Sequence, residues 1–223
     1  MKQSQWISRP DVPAATSQGG RRDCLLLAPL AVLMVGIAMA VVTNNLITVN
    51  AATLTTGVTQ LAGVFTEEVL WWSQNIGQWA GLTGLSQNLI ATVMQIESCG
   101  DPDALSPSGA MGLFQVMPFH FAELDDPYQP ETNAARGLDY LQRAMQKAGG
   151  NVYLALAGYN GGIGVIPSPE STWPAETQRY VYWGAGIFEE ANSGADVSQR
   201  LQEWLSRGGS SLCRQAHLRL GIP

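Results

Sequence analysis

The residue that points most directly to chemistry is Glu97, a carboxylate within an apolar helical pattern. Leu89 and Val93 precede it at intervals of four residues, so the three side chains share one face of a helix that Ser86 can cap. Carboxylates rarely occupy such a face without a partner or a purpose. Burial raises the pKa of a carboxyl and lets it donate a proton as a general acid near neutral pH. A glutamate that merely bonds to the following loop fits the same periodicity equally well.

Four sequence blocks help to decide whether Glu97 is a general acid or only bonds to the following loop. Glu97 and Ser98 end the helix, and residues 104–118 then read ALSPSGAMGLFQVMP. Further blocks follow at 133–141 (NAARGLDYL), 155–162 (ALAGYNGG) and 176–181 (ETQRYV). Together these blocks, in this order, resemble the family 1 lytic transglycosylases, whose soluble-lytic-transglycosylase (SLT) domain has a lysozyme-like, mainly α-helical fold. Phe114 departs from the pattern, because the family often has Met there.

The resemblance implies a role for each matching residue. Glu97 would be the single acid/base that cleaves the β-1,4 bond between N-acetylmuramic acid (MurNAc) and N-acetylglucosamine (GlcNAc) in peptidoglycan. The N-acetyl group of MurNAc would assist, and the same carboxylate would deprotonate the 6-hydroxyl, which leaves a 1,6-anhydro end. No cofactor or metal is implied. The residues that would bind the sugars or complete the cleft are Ser106, Gln115, Met117, Asn133, Tyr159, Asn160 and Tyr180.

Two other functions stay open. A goose-type lysozyme is a hydrolase of related fold that would need a second carboxylate to activate water, and Asp101 and Asp103 are the nearest in sequence. The pair Asp101-Pro102 is also a typical turn start. The other alternative is a membrane-anchored peptidoglycan-binding scaffold without activity, which would not need to keep Glu97. A cysteine peptidase built on Cys99 and His120 lacks any residue to orient the histidine.

An uncharged segment of nineteen residues, Cys24 to Val42, is long enough to cross a bilayer as a helix. Lys and Arg outnumber Asp and Glu before it (four against two) and are outnumbered after it (eight against sixteen). This asymmetry favours a cytoplasmic N-terminus and an exported remainder. We predict a single-pass membrane protein with a disordered cytoplasmic tail at 1–23 and an extracytoplasmic catalytic domain. Cleavage of a signal peptide near Val49–Ala51 is the rival interpretation. The acidic exported part argues against nucleic-acid binding.

Apolar periodicity predicts that the chain beyond this segment is mainly helical. Between Leu54 and Trp79 the apolar residues recur at intervals of three and four, which predicts one long amphipathic helix. That helix either packs on its own domain or acts as a stem that spaces the domain from the bilayer. Further helices are predicted at 133–148, after Asn151, at 176–191 and at 197–207. The predicted organisation is a linker and stem helix at 43–85, a catalytic domain at 86–192 and a helical C-terminal extension at 193–223.

The cysteines predict one disulfide. Cys99 and Cys213 both follow the apolar segment and so reach the exported side, where a disulfide can persist, whereas Cys24 lies at its cytoplasmic end. A bond between Cys99 and Cys213 would fasten the C-terminal segment to the helix that presents Glu97. Two separate buried thiols are the alternative.

Overall fold

The computed structural model describes residues 60–223, and this part of the chain is mainly α-helical, as predicted. The tail at 1–23, the predicted membrane segment at 24–42 and residues 43–59 of the predicted linker and stem helix lie outside the described residues. Within residues 60–223, no helix is both long and apolar enough to cross a membrane. The α-helices are α1 (Glu67–Leu70), α2 (Ser73–Thr83), α3 (Gln87–Glu97), α4 (Pro130–Lys147), α5 (Val152–Gly161), α6 (Ala175–Asn192), α7 (Gln199–Trp204) and α8 (Ser210–Leu220).

The centre of the fold is α3, which is buried on almost every side. Its residues from Asn88 to Gln95 are all buried, and it packs against α6 on one side and α2 on another. Helix α5 lies between α4 and α6. Gly184 makes this close packing possible, because a Cβ atom there would stand 3.1 Å from the Leu156 side chain and 3.4 Å from Ile96. The helix that ends at Glu97 is therefore held rigidly on several sides.

The helices begin where side chains cap them. The hydroxyl of Ser86 accepts a hydrogen bond from the Leu89 amide, and the side chain of Asn151 accepts one from Leu154, so both predicted caps are confirmed. Helix α4 begins at Pro130, three residues before the predicted start, because Gln129 caps it and proline suits the first helical position.

The prediction of one continuous helix from Leu54 to Trp79 is wrong. Residues 60–66 are not helical, and a turn at Trp71 and Trp72 separates α1 from α2. From Phe65 to Trp79, the apolar residues of this stripe are nevertheless buried in the same core as α3, which agrees with packing on its own domain. Periodicity alone missed the break because both short helices turn their apolar residues toward that one core.

Polar side chains of α3 fix the segment that precedes α1. The Leu61 amide donates to the side chain of Gln87, and the Ala62 amide donates to the side chain of Asn88. The Thr66 amide donates to the Gln95 side chain, whose residue is fully buried. These bonds satisfy backbone donors that no helix serves. Residues 61–66 are thus part of the unit that carries Glu97.

The C-terminal extension is helical, as predicted, and the chain kinks after the predicted helix at 197–207, because Gly208 has a non-helical φ of 126°. After α7 the chain passes through a π-type turn (Leu205–Gly209) directly into α8. The predicted disulfide is present: Cys99 and Cys213 are bonded, with their Cα atoms 4.9 Å apart. It joins α8 to the turn that immediately follows α3.

Candidate active site

An open cleft of about 570 Å³ lies at the C-terminal end of α3. One wall is the loop of residues 104–118, which isolated antiparallel bridges from Met111 to Leu105 and to Val116 hold together. The other walls are parts of α4 and α5 and the start of α6. Six of the residues predicted from sequence line this cleft: Glu97, Ser106, Gln115, Met117, Tyr159 and Asn160.

Glu97 is held mainly in its protonated form. Protein encloses its carboxyl on the cleft floor, although the residue as a whole keeps some access to the cleft. Burial raises the pKa of Glu97 to about 8, the nearby Tyr180 hydroxyl lowers it, and the negative charge of Glu176 raises it further. At neutral pH the group is therefore an acid with a proton to give.

Two tyrosines lie near this carboxyl, Tyr180 buried and Tyr159 partly buried. The Tyr159 hydroxyl donates a hydrogen bond of 2.7 Å to the Phe114 carbonyl. The Tyr180 hydroxyl has no partner with standard hydrogen-bond geometry among residues 60–223, although it lies close enough to Glu97 to interact with it. Burial, and after it the charge of Glu97, raises the pKa of both phenols well above 10, so both stay neutral. Tyr180 can therefore donate to Glu97 when the carboxyl ionises.

The loop wall presents Gln115 in a constrained conformation. Gln115 has a positive φ of 45°, which a residue with a side chain seldom adopts. Its amide nitrogen donates to the carbonyls of Ala104 (3.2 Å) and Gly112 (3.0 Å). This arrangement leaves the amide oxygen of Gln115 as the atom that can accept a hydrogen bond from a ligand.

Ser106 and Asn160 are also held in place. The Ser106 hydroxyl accepts from the Ala110 amide (2.9 Å) and lies 3.0 Å from the Ser108 hydroxyl. On the wall formed by α5 and α6, Thr177 donates to the Asn160 side-chain oxygen (2.9 Å). The cleft that contains Glu97 thus offers fixed polar groups from the loop and from the helices, which suits a ligand rich in hydroxyl and amide groups.

Residues 74–179 match the family model described as the transglycosylase SLT domain. This range holds Glu97 and every cleft-lining residue named above. The chain carries a transglycosylase SLT domain. The resemblance seen in the sequence is therefore confirmed, and Tyr180 lies one residue beyond the matched range.

Curated relatives agree with this assignment. The transglycosylase of Enterobacteria phage PRD1 is 35% identical over 112 residues, which cover 49% of this chain and 40% of the relative. The soluble lytic murein transglycosylases of Salmonella typhimurium and Escherichia coli K12 are 37% and 35% identical over 94 residues, which cover 37% of this chain and 15% of each relative. The chain thus spans well under half the length of these relatives.

A solved structure, an inactive mutant of the lytic transglycosylase Slt from Pseudomonas aeruginosa, is similar at a TM-score of 0.45 and 24% identity. The match covers 57% of this chain and 25% of that one.

Asn133, which was predicted to hold a sugar, does not line the cleft of the SLT domain. Its side chain is fully buried, accepts from the Phe114 amide (2.9 Å) and donates to the carbonyls of Met111 and Pro127 (2.8 Å each). A Cβ atom on Gly112 would stand 2.3 Å from the Asn133 amide nitrogen, so only glycine fits beside it. Asn133 positions the loop wall. Tyr180 likewise lies behind the cleft surface, beside Glu97.

Asp101 and Asp103 lie away from the cleft. The buried Asp101 side chain accepts from the Asp103 amide (2.9 Å), which is the turn geometry expected of an Asp-Pro start. Both carboxylates face Arg219 of α8, at 3.8 and 3.3 Å. Neither is placed to activate water beside Glu97. Cys99 is in a disulfide, which removes the peptidase alternative.

Among the cleft-lining residues that were not predicted as site residues, four have aromatic or charged side chains. Glu176 brings a second carboxylate to the edge of the cleft, while Tyr140, Phe119 and His120 form part of its wall. Glu176 and Tyr140 belong to the blocks that carry the resemblance, and that signal was available. Nothing in the sequence marked Phe119, and His120 was considered only as a peptidase partner of Cys99, because the position of both side chains depends on how the loop folds.

Proposed function

We propose that the SLT domain is a peptidoglycan lytic transglycosylase that cleaves the MurNAc-GlcNAc β-1,4 bond and leaves 1,6-anhydro-MurNAc ends. The observation that carries this proposal is the enclosed carboxyl of Glu97, which lines a cleft of about 570 Å³. Its pKa of about 8 keeps it protonated at neutral pH. The family match and the names of the relatives support the same reaction.

One carboxyl serves both steps of this mechanism. Glu97 donates its proton to the glycosidic oxygen as the bond to GlcNAc breaks, and the N-acetyl oxygen of MurNAc bonds to its own anomeric carbon. The Glu97 carboxylate then takes the proton from the 6-hydroxyl of MurNAc. The 6-oxygen attacks the anomeric carbon and displaces the N-acetyl oxygen, which closes the anhydro ring. Glu97 ends protonated, so no water is consumed and the catalyst is restored.

The residues around Glu97 are suited to a group that acts first as an acid and then as a base. Tyr180, neutral and without a regular hydrogen-bond partner in the described part of the chain (60–223), can stabilise the carboxylate that exists between the two proton transfers. Gln115, Ser106 and Asn160 supply the hydrogen bonds that orient the N-acetyl sugars. Holding the reacting groups in a productive geometry is a large part of catalysis in such a site.

Hydrolysis is the second candidate, and Glu176 is the observation that favours it. A water-activating base has to share the cleft with the acid, and Glu176 lines the same cleft as Glu97. The two reactions differ in their products by one water molecule. We expect purified sacculi digested by this chain to give muropeptides with 1,6-anhydro ends in mass spectrometry. Muropeptides with only reducing ends would establish the hydrolase instead.

We also propose that residues 24–42 anchor the chain in the membrane, with a cytoplasmic N-terminus and the SLT domain outside. The uncharged segment and its flanking charges support this, and so does a disulfide, which persists in oxidising compartments. Membrane fractionation and the intact mass of the mature chain test the anchor. A soluble chain that begins at Ala52 would refute it.

A further inference from the structure

An aromatic side chain stands exposed at the rim of the cleft. Phe119 is 75% exposed and lines the same cleft as Glu97. It lies on a 3-10 turn (Pro118–His120) that directly follows the loop wall. Exposing a phenyl ring to water forgoes the free energy that its burial would provide. Single exposed apolar side chains are common on protein surfaces, but one that also lines a polar cleft is placed to contact a ligand bound there.

Phe119 is the outermost of four aromatic rings that lead into the cleft. Its ring centroid lies 4.5 Å from that of His120, which lies 4.9 Å from Tyr140, and Tyr140 lies 5.9 Å from Tyr159. Tyr159 is close enough to Glu97 for the charge of the carboxyl to raise its pKa. All four rings line the cleft. The row is thus one continuous wall from the rim to the reacting group.

The backbone and neighbours of this row hold the rim ring in position. The His120 amide donates to the Met117 carbonyl (3.0 Å), and the Phe121 amide donates to the Pro118 carbonyl (3.1 Å). Phe121 packs against the hydrophobic core, which fastens the turn from below. The Tyr140 hydroxyl accepts from the Ile163 amide (3.2 Å), and the Arg143 guanidinium lies 5.1 Å from the Tyr140 ring.

His120 serves this row as a neutral ring. Burial lowers the pKa of His120, and the nearby Arg143 charge lowers it further, whereas Asp139 acts in the opposite direction. A neutral imidazole presents an apolar face to the Phe119 ring. Because it carries no charge, no charged group has to lose its water when a sugar binds there.

We propose that Phe119, supported by His120, is a stacking platform for an additional sugar ring of the glycan strand, beyond the sugars that flank the cleaved bond. This inference rests on the proposed function, because it assumes that a glycan occupies the cleft. The apolar face of a pyranose ring covers the phenyl ring, while the strand continues along the aromatic wall toward Glu97. The platform lengthens the stretch of glycan that the cleft recognises.

The test is the dependence of binding on strand length. We would use the full chain carrying Glu97→Gln, so that ligands are not cleaved, and titrate it calorimetrically with peptide-free GlcNAc oligomers of three to six sugars. The affinity should rise with length in this parent. Adding Phe119→Ala should remove most of the gain for the longer oligomers, roughly three- to tenfold in Kd, because an aromatic contact of this kind is worth that much.

Two further variants serve as controls. Phe119→Trp keeps a flat apolar ring and should preserve the gain with length. Leu82→Ala removes a side chain that is 84% exposed on α2, outside the cleft, and should bind like the parent at every length.

If the affinity rises with oligomer length equally in the parent and in Phe119→Ala, the platform is overturned. An effect of Phe119→Ala that appears only with ligands carrying stem peptides would overturn it as well. A parent that binds no oligomer and a wild-type chain that releases no muropeptides would overturn the proposed function itself. Binding by the parent without an effect of Phe119→Ala would overturn only the platform.

Discussion

At the scale of single residues, the proposed chemistry depends on how burial and two neighbouring groups set the proton affinity of Glu97. Burial is the largest influence and raises its pKa, Glu176 raises it further, and Tyr180 opposes both. The balance leaves a carboxyl whose pKa of about 8 is close to working pH, which is where one group can both give and retrieve a proton. Tyr180 and Glu176 therefore act on the rate through Glu97.

The pH dependence of cleavage should report this balance. Because the reaction begins with protonated Glu97, kcat/KM should fall as pH rises through about 8. Glu176→Gln removes a charge that raises the Glu97 pKa, so the alkaline limb should move to lower pH. Tyr180→Phe removes a group that lowers the pKa, so the limb should move to higher pH. The measurement is the pH profile of muropeptide release for the three proteins.

Shifts of both variants in the same direction would contradict this assignment of causes. An alkaline limb that stays in place in both variants would show that another group controls it. Far-ultraviolet circular dichroism over the same pH range separates titration from unfolding.

At the scale of elements, the loop wall depends on one buried side chain. Asn133, at the start of α4, binds three backbone groups of the loop and of the approach to the helix. Backbone groups buried without partners are costly. The positive φ of Gln115 and the close approach of Gly112 persist because this amide holds the loop around them.

We predict that Asn133→Ala lowers both stability and activity. The lost bonds leave buried donors and acceptors unpaired, so the free energy of unfolding should fall by about 2–4 kcal/mol. The matched control is Ser86→Ala, which removes the α3 cap far from the loop wall and should cost about 1 kcal/mol without changing KM. Urea denaturation and steady-state kinetics measure both effects. An Asn133→Ala chain with wild-type stability and only a higher KM would restore the sugar-binding role.

Sequence patterns located most of these elements, and their failures have physical causes. Ser86 and Asn151 were recognisable because a cap acts on amides within three residues. The turn at Trp71–Trp72 was not recognisable, because α1 and α2 face the same core and the spacing of apolar residues continues unchanged from one helix to the next. Asn133 was misplaced because its block shows that a residue matters, but not whether its side chain points into the cleft or into the loop behind it.

At the scale of the whole molecule, the C-terminal helix is fastened to the unit that carries Glu97. The Cys99–Cys213 disulfide joins α8 to the turn after α3. His217 of α8 lies 3.1 Å from Glu67 and 3.2 Å from Glu68 of α1. These links bring together segments that are far apart in sequence, and they lie beside the end of the helix that carries Glu97.

Removing the disulfide should therefore destabilise the whole unit. The bond closes a loop of 114 residues, for which the chain-entropy model gives an upper figure of about 4–5 kcal/mol. We expect the Cys99→Ala/Cys213→Ala chain to lose up to this amount of unfolding free energy under oxidising conditions. Denaturation of the wild-type chain with and without reductant gives the matched comparison. Identical curves for the oxidised, reduced and mutant proteins would contradict the prediction.

The central claim, that Glu97 is the acid/base, is tested most directly by the rate at which Glu97→Gln releases muropeptides from sacculi. The amide fills the same space but cannot donate and retrieve a proton, so the rate should fall by a factor of about 10² to 10⁴ while the fold and glycan binding persist. The account predicts this loss together with unchanged circular dichroism. A folded Glu97→Gln chain that still releases 1,6-anhydro muropeptides at a substantial fraction of the wild-type rate would contradict it.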